Sequence, residues 1–100
     1  APAKADQTQA FKEAFDKGMA LAMLPMEQLI VEGCRKVAPG QSQGVEADWA
    51  KRMAKPELKA HTLTAEYAQG LAEGRPILEA DLAKPGAAQE WAPKCKAGLQ

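Results

Sequence analysis

The sequence predicts an all-α fold: a small bundle of five or six short helices around a Pro-kinked N-terminal helix, tied by one disulfide. Three observations indicate this class. Apolar residues recur at steps of three and four over residues 9–37, which is the spacing of one helix face. Alanine, the strongest helix former, is abundant, and no stretch keeps the two-residue period of a strand for long. A length of 100 residues fits one domain, 1–100, with a single core.

Residues 9–37 form the predicted spine of the bundle. The apolar residues on one face of this segment are Phe11, Phe15, Met19, Ala22, Met26, Ile30, Gly33, Cys34 and Val37, and we expect them to face the core. Pro25 removes an amide donor and restricts Leu24. The apolar pattern nevertheless continues in phase past the proline, so the sequence allows one kinked helix or two abutting helices.

Other boundaries follow from caps and helix breakers. Residues 1–6 are small and polar and are expected to be flexible, with Asp6 or Thr8 capping the first helix. Thr62 or Thr64 is expected to cap a later helix. The predicted helices after the spine cover 45–54, a turn through residue 59, 65–73, a segment from residue 76 with Ile77, Leu78 and Leu82 facing inward, and 87–96.

Cys34 and Cys95 are the only cysteines, and their spacing of 61 positions fits no zinc finger, thioredoxin-like or haem motif. Either they form one disulfide or they are two unrelated buried thiols. The even count in a short chain favours the disulfide. On the chain-entropy model, closing so long a loop stabilises the fold by about 4 kcal/mol. We expect Trp91 to pack beside this bridge.

Charge and the N-terminal residues bear on location and partners. Thirteen basic and thirteen acidic residues cancel, so no basic stripe indicates nucleic-acid binding. No apolar run approaches the ~20 residues that cross a bilayer, so membrane insertion is not expected. The chain starts at Ala1 with small, polar residues, as it would after removal of a signal peptide. Together with the disulfide, this start predicts a secreted or periplasmic protein.

Met19, Met23 and Met26 lie at spacings of four and three on one stretch of helix. Thioether clusters bind Cu(I) because soft sulfur suits the soft ion, and Met53 or His61 could supply a fourth ligand. The simpler interpretation is that these methionines fill the core. Binding of Cu(I) or of a small ligand in the periplasm through this methionine cluster is therefore the alternative, and no cofactor is predicted.

No catalytic constellation is apparent in the sequence. His61 is the only histidine, and a Cys–His nucleophile would need a cysteine that the disulfide consumes. We expect His61 to be an exposed loop residue. We also expect the protein to have no enzymatic activity. Trp49 is a candidate for binding a partner protein, because tryptophan is enriched in interface hot spots.

Several of these features occur together in one known group of proteins. A Leu24-Pro25-Met26 kink, Cys34 at a helix end and a C-terminal pair of Trp91 and Cys95 resemble small secreted bacterial proteins described as candidate quorum-sensing-regulated virulence factors. The resemblance implies an all-helical fold, no known catalytic activity and a role outside the cytoplasm. It identifies no functional residues. The expected function is binding to another protein through an exposed apolar patch or groove.

Overall fold

The computed structural model describes the backbone of residues 2–99 and the side chains of residues 8–99. The helices are α1 (Pro2–Val37), α2 (Gln43–Met53), α3 (Pro56–His61), α4 (Ala65–Leu82) and α5 (Ala87–Ala97), with a 3-10 helix at Pro39–Gln41 between α1 and α2. No strand occurs between residues 2 and 99. The prediction of an all-α bundle with one disulfide is therefore confirmed.

The first helix is longer than predicted. It begins at Pro2 and not after a cap at Asp6 or Thr8, so the backbone of residues 2–6 is helical, while Ala1 lies outside the described residues. Proline suits a helix start because the amide it lacks would have no intrahelical partner there. At Pro25 the helix continues, which decides between the two alternatives in favour of one helix.

Two further helices also contain a proline. The predicted break at 74–76 is wrong, because α4 continues through Pro76, and α5 continues through Pro93. A proline inside a helix costs about 3 kcal/mol through one lost hydrogen bond and a clash with the preceding turn. The α4 helix packs along the C-terminal half of α1, where Gly70 lies beside Pro25 and Arg75 pairs with Glu32, and we attribute the persistence of the helix through Pro76 to this packing. Thr64, one of the two predicted caps, caps α4 and accepts a hydrogen bond from the Tyr67 amide.

The core consists of two clusters that both lie against the C-terminal half of α1. The larger cluster surrounds the Cys34–Cys95 disulfide, whose Cα atoms are 5.7 Å apart. Its buried members are Val31, Cys34, Ala38, Val45, Ala87, Trp91, Cys95 and Leu99. The smaller cluster contains Leu24, Leu58 and Tyr67. Trp91 thus packs beside the bridge, as predicted.

The N-terminal half of α1 projects from this body. All described side chains from residue 8 to residue 20 are exposed. The molecule measures 57 × 28 × 22 Å, and its radius of gyration is 16.3 Å. A compact domain of this length would have a radius of gyration of about 13 Å. The whole of α1 is about 54 Å long at 1.5 Å per residue, so this one helix sets the length of the molecule.

The projection corrects the predicted burial of the spine. Phe11, Phe15, Met19 and Met26 are exposed, and so is Ala22. The remaining helices cover only the C-terminal half of α1, because the disulfide and the short connections hold them there. The side chains of α1 that are buried include Leu24, Leu29 and Val31.

Candidate functional site

An exposed row of apolar side chains follows α1 from the projecting half onto the body. We call it the apolar stripe, and its members are Phe11, Phe15, Met19, Ala22, Met26 and Ile30. Phe11 is 74% exposed and Phe15 is 58% exposed, and their rings stack on each other with centroids 6.5 Å apart. Only Ile30, which packs partly against the larger core cluster, is substantially covered.

The C-terminal part of the stripe runs into a groove of about 830 Å³ between α1 and α4. Apolar side chains form most of its lining, among them Pro25, Met26, Leu29, Ile30, Ile77 and Trp91. Ile77 stands on the α4 wall and is 74% exposed, although the sequence predicted that it would face inward. Stripe and groove together form one continuous apolar surface.

The groove depends on a close approach of α4 to α1. A Cβ atom at Gly70 would lie 3.1 Å from the Pro25 ring, and one at Gly74 would crowd the Leu29 side chain. Two glycines spaced four apart on the same face of α4 thus let the helix lie low against α1. The next turn of that face then carries Ile77 to the edge of the groove.

The polar groups at the end of the groove already have partners. The Trp91 indole N–H donates a hydrogen bond of 2.8 Å to Asp81 Oδ2, and Lys84 Nζ lies 3.2 Å from Asp81 Oδ1. Both contacts lower the pKa of the Asp81 carboxyl from its ordinary value, with the Trp91 hydrogen bond as the larger cause. Asp81 is therefore ionised at neutral pH and orients Trp91.

An ion pair also connects the two helices that form the groove. Arg75 Nη1 on α4 lies 2.6 Å from Glu32 Oε1 on α1. The hydrogen bond from Arg75 is the main reason that the pKa of Glu32 is lowered. Because these charges neutralise each other beside the groove, the surface offered to a ligand is mainly apolar.

The three methionines of the copper hypothesis are not in the core. Met19, Met23 and Met26 are all exposed on α1, so the interpretation of Met19 and Met26 as core filling is wrong. The proposed fourth ligands are engaged elsewhere: Met53 packs against the smaller core cluster. Among the described residues, no group of three His, Cys, Asp or Glu side chains is arranged to hold a metal ion.

The remaining residues of interest from the sequence are His61 and Trp49. His61 ends α3, is partly buried rather than exposed, and meets the Tyr67 ring edge-on with centroids 5.7 Å apart. Trp49 is half-buried and packs against both core clusters, so part of its surface serves packing. A role of Trp49 in binding a partner stays a prediction.

The sequence did not reveal the groove. Gly70, Gly74 and Ile77 share one face of α4 at steps of four and three, which was the available signal. The shared face is not apparent from the sequence, because Gly74 and Pro76 predict that the helix ends before Ile77.

Comparison with known proteins returned no match to a family model, to a curated protein or to a solved structure. Within residues 2–99, no helix combines the length and apolar character needed to cross a bilayer.

Proposed function

We propose that this chain is an exported, secreted or periplasmic, non-enzymatic protein that acts by binding another protein through the apolar stripe and the groove. The observation that carries the proposal is the size and continuity of this exposed apolar surface. Monomeric proteins rarely expose contiguous apolar patches beyond a few hundred Å², and larger ones mark interaction sites. Two phenylalanines, two methionines and Ile77 contribute to this one surface.

The shape of the surface favours a helical partner. A groove between two helices accepts the apolar face of a third, amphipathic helix, whose anchors recur at steps of three and four. The floor of this groove carries Met26 and Ile30 one helical turn apart, and Ile77 forms one wall. The balanced charge of the chain gives no footprint for nucleic acid as the partner.

Location outside the cytoplasm is supported by the disulfide, because such bridges persist in oxidising compartments. The likeness to small secreted bacterial proteins described as candidate virulence factors extends the proposal to an association with virulence. No catalytic role is assigned to any residue. His61, the only histidine, packs edge-on against Tyr67.

Site-specific photo-crosslinking tests this function. A photoreactive amino acid at Ile77 in the groove wall is compared with the same group at Ala50, an exposed residue of α2. In the extracellular and periplasmic fractions of the native organism, we expect one protein to be crosslinked from position 77 only. The identified protein, purified, should then bind the wild-type chain and lose at least about tenfold in affinity for Ile77→Asp, as expected for an interface anchor.

Equal crosslinking from positions 77 and 50 would contradict the proposal. So would unchanged affinity of the purified partner for Ile77→Asp.

A second candidate function follows from the exposure of Met19, Met23 and Met26, which occupy successive turns of α1. Exposed thioethers at this spacing can bind Cu(I) in an oxidising compartment. Titration with Cu(I) under a competing chelator tests it. The expected result is one equivalent bound by the wild type and none by Met19→Leu/Met26→Leu, with Met53→Leu as the control. Absence of binding to the wild type would remove this function.

A further inference from the structure

The apolar stripe has two halves, and each offers a kind of surface that can cover the other. Its first half, Phe11, Phe15 and Met19, lies on the projecting part of α1, where none of the other described helices covers it. Its second half, Ala22, Met26 and Ile30, lines the groove, which is open and apolar. One molecule therefore carries both an uncovered helix face and an unfilled groove, and the two are continuous on the same helix.

The steps between successive stripe residues form the same series whether α1 is followed from its N-terminus or from its C-terminus. From Phe11 to Ile30 the steps are four, four, three, four and four, so a second α1 running antiparallel presents its apolar residues at matching heights. In this register Phe11 faces Ile30, Phe15 faces Met26 and Met19 faces Ala22, and the numbers of each facing pair add up to 41. A two-fold axis between residues 20 and 21 relates the copies.

We infer that the partner seated on this surface is a second copy of the chain, in an antiparallel dimer of α1 helices. The inference rests on the proposed function and names its partner. The projecting half of each α1 lies in the groove of the other copy, so every contact is made twice, as in an isologous interface. Phe15 of one copy packs on Met26 of the other, and Phe11 lies against Ile30 beside Ile77.

The period of the stripe suits such a pair. Steps of four, four and three make an 11-residue repeat, close to the natural turn of an α-helix. Two α1 helices can therefore keep their stripes in contact from Phe11 to Ile30, a distance of about 28 Å. The projecting half presents no obstacle, because all its described side chains are exposed.

The available area reaches the minimum for a biological interface. The exposed parts of the phenylalanines, of Met19 and Met26 and of Ile77 offer roughly 500 Å² per copy, or about 1,000 Å² over the pair. That total is near the lower bound of biological interfaces.

Sedimentation equilibrium of the oxidised protein gives the first test. We expect a mass of twice the 10.7 kDa chain at high concentration. Phe15→Asp and Ile77→Asp, which change exposed residues at the two ends of the contact, should each weaken dimerisation at least about tenfold. Ala20→Asp adds the same charge on the opposite side of α1 and should leave the dimer intact.

Crosslinking tests the register. A benzoylphenylalanine at position 15, mixed with isotope-labelled wild type, should attach to Met26 of the labelled copy. A wild-type protein that stays monomeric, a dimer unaffected by Phe15→Asp, or a crosslink to another region would each overturn the antiparallel dimer.

Failure of the dimer is distinguishable from failure of the proposed function. A monomeric chain whose position 77 still crosslinks a different protein, with affinity lost in Ile77→Asp, would overturn the dimer and leave the function standing. Absence of both self-association and such a partner would overturn both.

Discussion

At the scale of single residues, Tyr67 shows how burial changes chemistry in this small core. Its side chain is 2% exposed, and its hydroxyl donates a hydrogen bond to Oε1 of Gln28 on α1. Burial, with smaller contributions from the charges of Glu32 and Glu27, raises the pKa of Tyr67 from 10.0 to about 12. Tyr67 is the only tyrosine of the chain, so the titration of its phenol group can be observed directly.

This pKa predicts a loss of stability at alkaline pH. Below pH 10 both the folded and the unfolded state keep the proton, and between pH 10 and about 12 the unfolded state loses it first. The free energy of unfolding therefore falls as pH rises through this window, by up to about 3 kcal/mol. Tyrosinate absorbance measures the titration, and Tyr67→Phe should show a smaller decline in stability with pH. Titration of the folded protein at pH 10 would contradict the prediction.

At the scale of helices, glycine determines how closely two elements approach. Gly44 in α2 lies against the end of α5, where a Cβ atom would overlap the carbonyl oxygen of Lys96. A backbone atom cannot move aside as the end of a flexible side chain can. The α2–α5 contact, which covers part of the disulfide cluster, thus requires a residue without a side chain.

Gly44→Ala is expected to destabilise the fold by about 1–3 kcal/mol, the usual cost of forcing extra volume into a packed site. Gly40→Ala is the matched control, because a Cβ atom there has no neighbour within 4 Å. Urea denaturation of both variants measures the difference. Equal urea midpoints for the two variants would contradict this, because α2 could then move away from α5 without a loss of unfolding free energy.

The same scale explains what could be predicted from the sequence. The predicted helices 45–54 and 87–96 agree closely with α2 (Gln43–Met53) and α5 (Ala87–Ala97), because glycine and proline turns bound both segments. The break at Gly74–Pro76 was wrong because tertiary packing of α4 on α1 outweighs local propensity. The cap of α4 was narrowed to Thr62 or Thr64 because a capping side chain acts locally, and the structure selects Thr64.

The candidate site was harder to predict. Periodicity shows which residues share a helix face, but it does not show whether another element covers that face. Phe11 and Phe15 therefore gave the same pattern as core residues, although both side chains are exposed. The groove needs α1 and α4 side by side, a contact between residues distant in sequence. The disulfide was predictable because only one pairing exists.

At the scale of the whole molecule, the Cys34–Cys95 bridge joins the C-terminal end of α1 to the C-terminal end of α5. All of α2, α3 and α4 lie within the closed loop, while the projecting half of α1 lies outside it. The bridge therefore restricts the unfolded chain over most of the body but does not act on the projection.

Cys34→Ser/Cys95→Ser is expected to lose about 4 kcal/mol of unfolding free energy. Wild type in the presence of a reductant should unfold at nearly the same urea concentration as this double variant. Circular dichroism during urea denaturation measures both. A double variant as stable as the oxidised wild type would show that the core clusters alone hold the body together.

The length of the projecting helix also affects how the molecule moves through solvent. A 10.7 kDa elongated monomer 57 Å long meets more friction than a sphere of equal mass and should elute early from a sizing column. In the antiparallel pair the two α1 helices overlap almost completely, so doubling the mass adds width and hardly any length. Monomer and dimer should therefore elute closer together than their masses suggest. Elution volume alone would then give a wrong mass for the assembly.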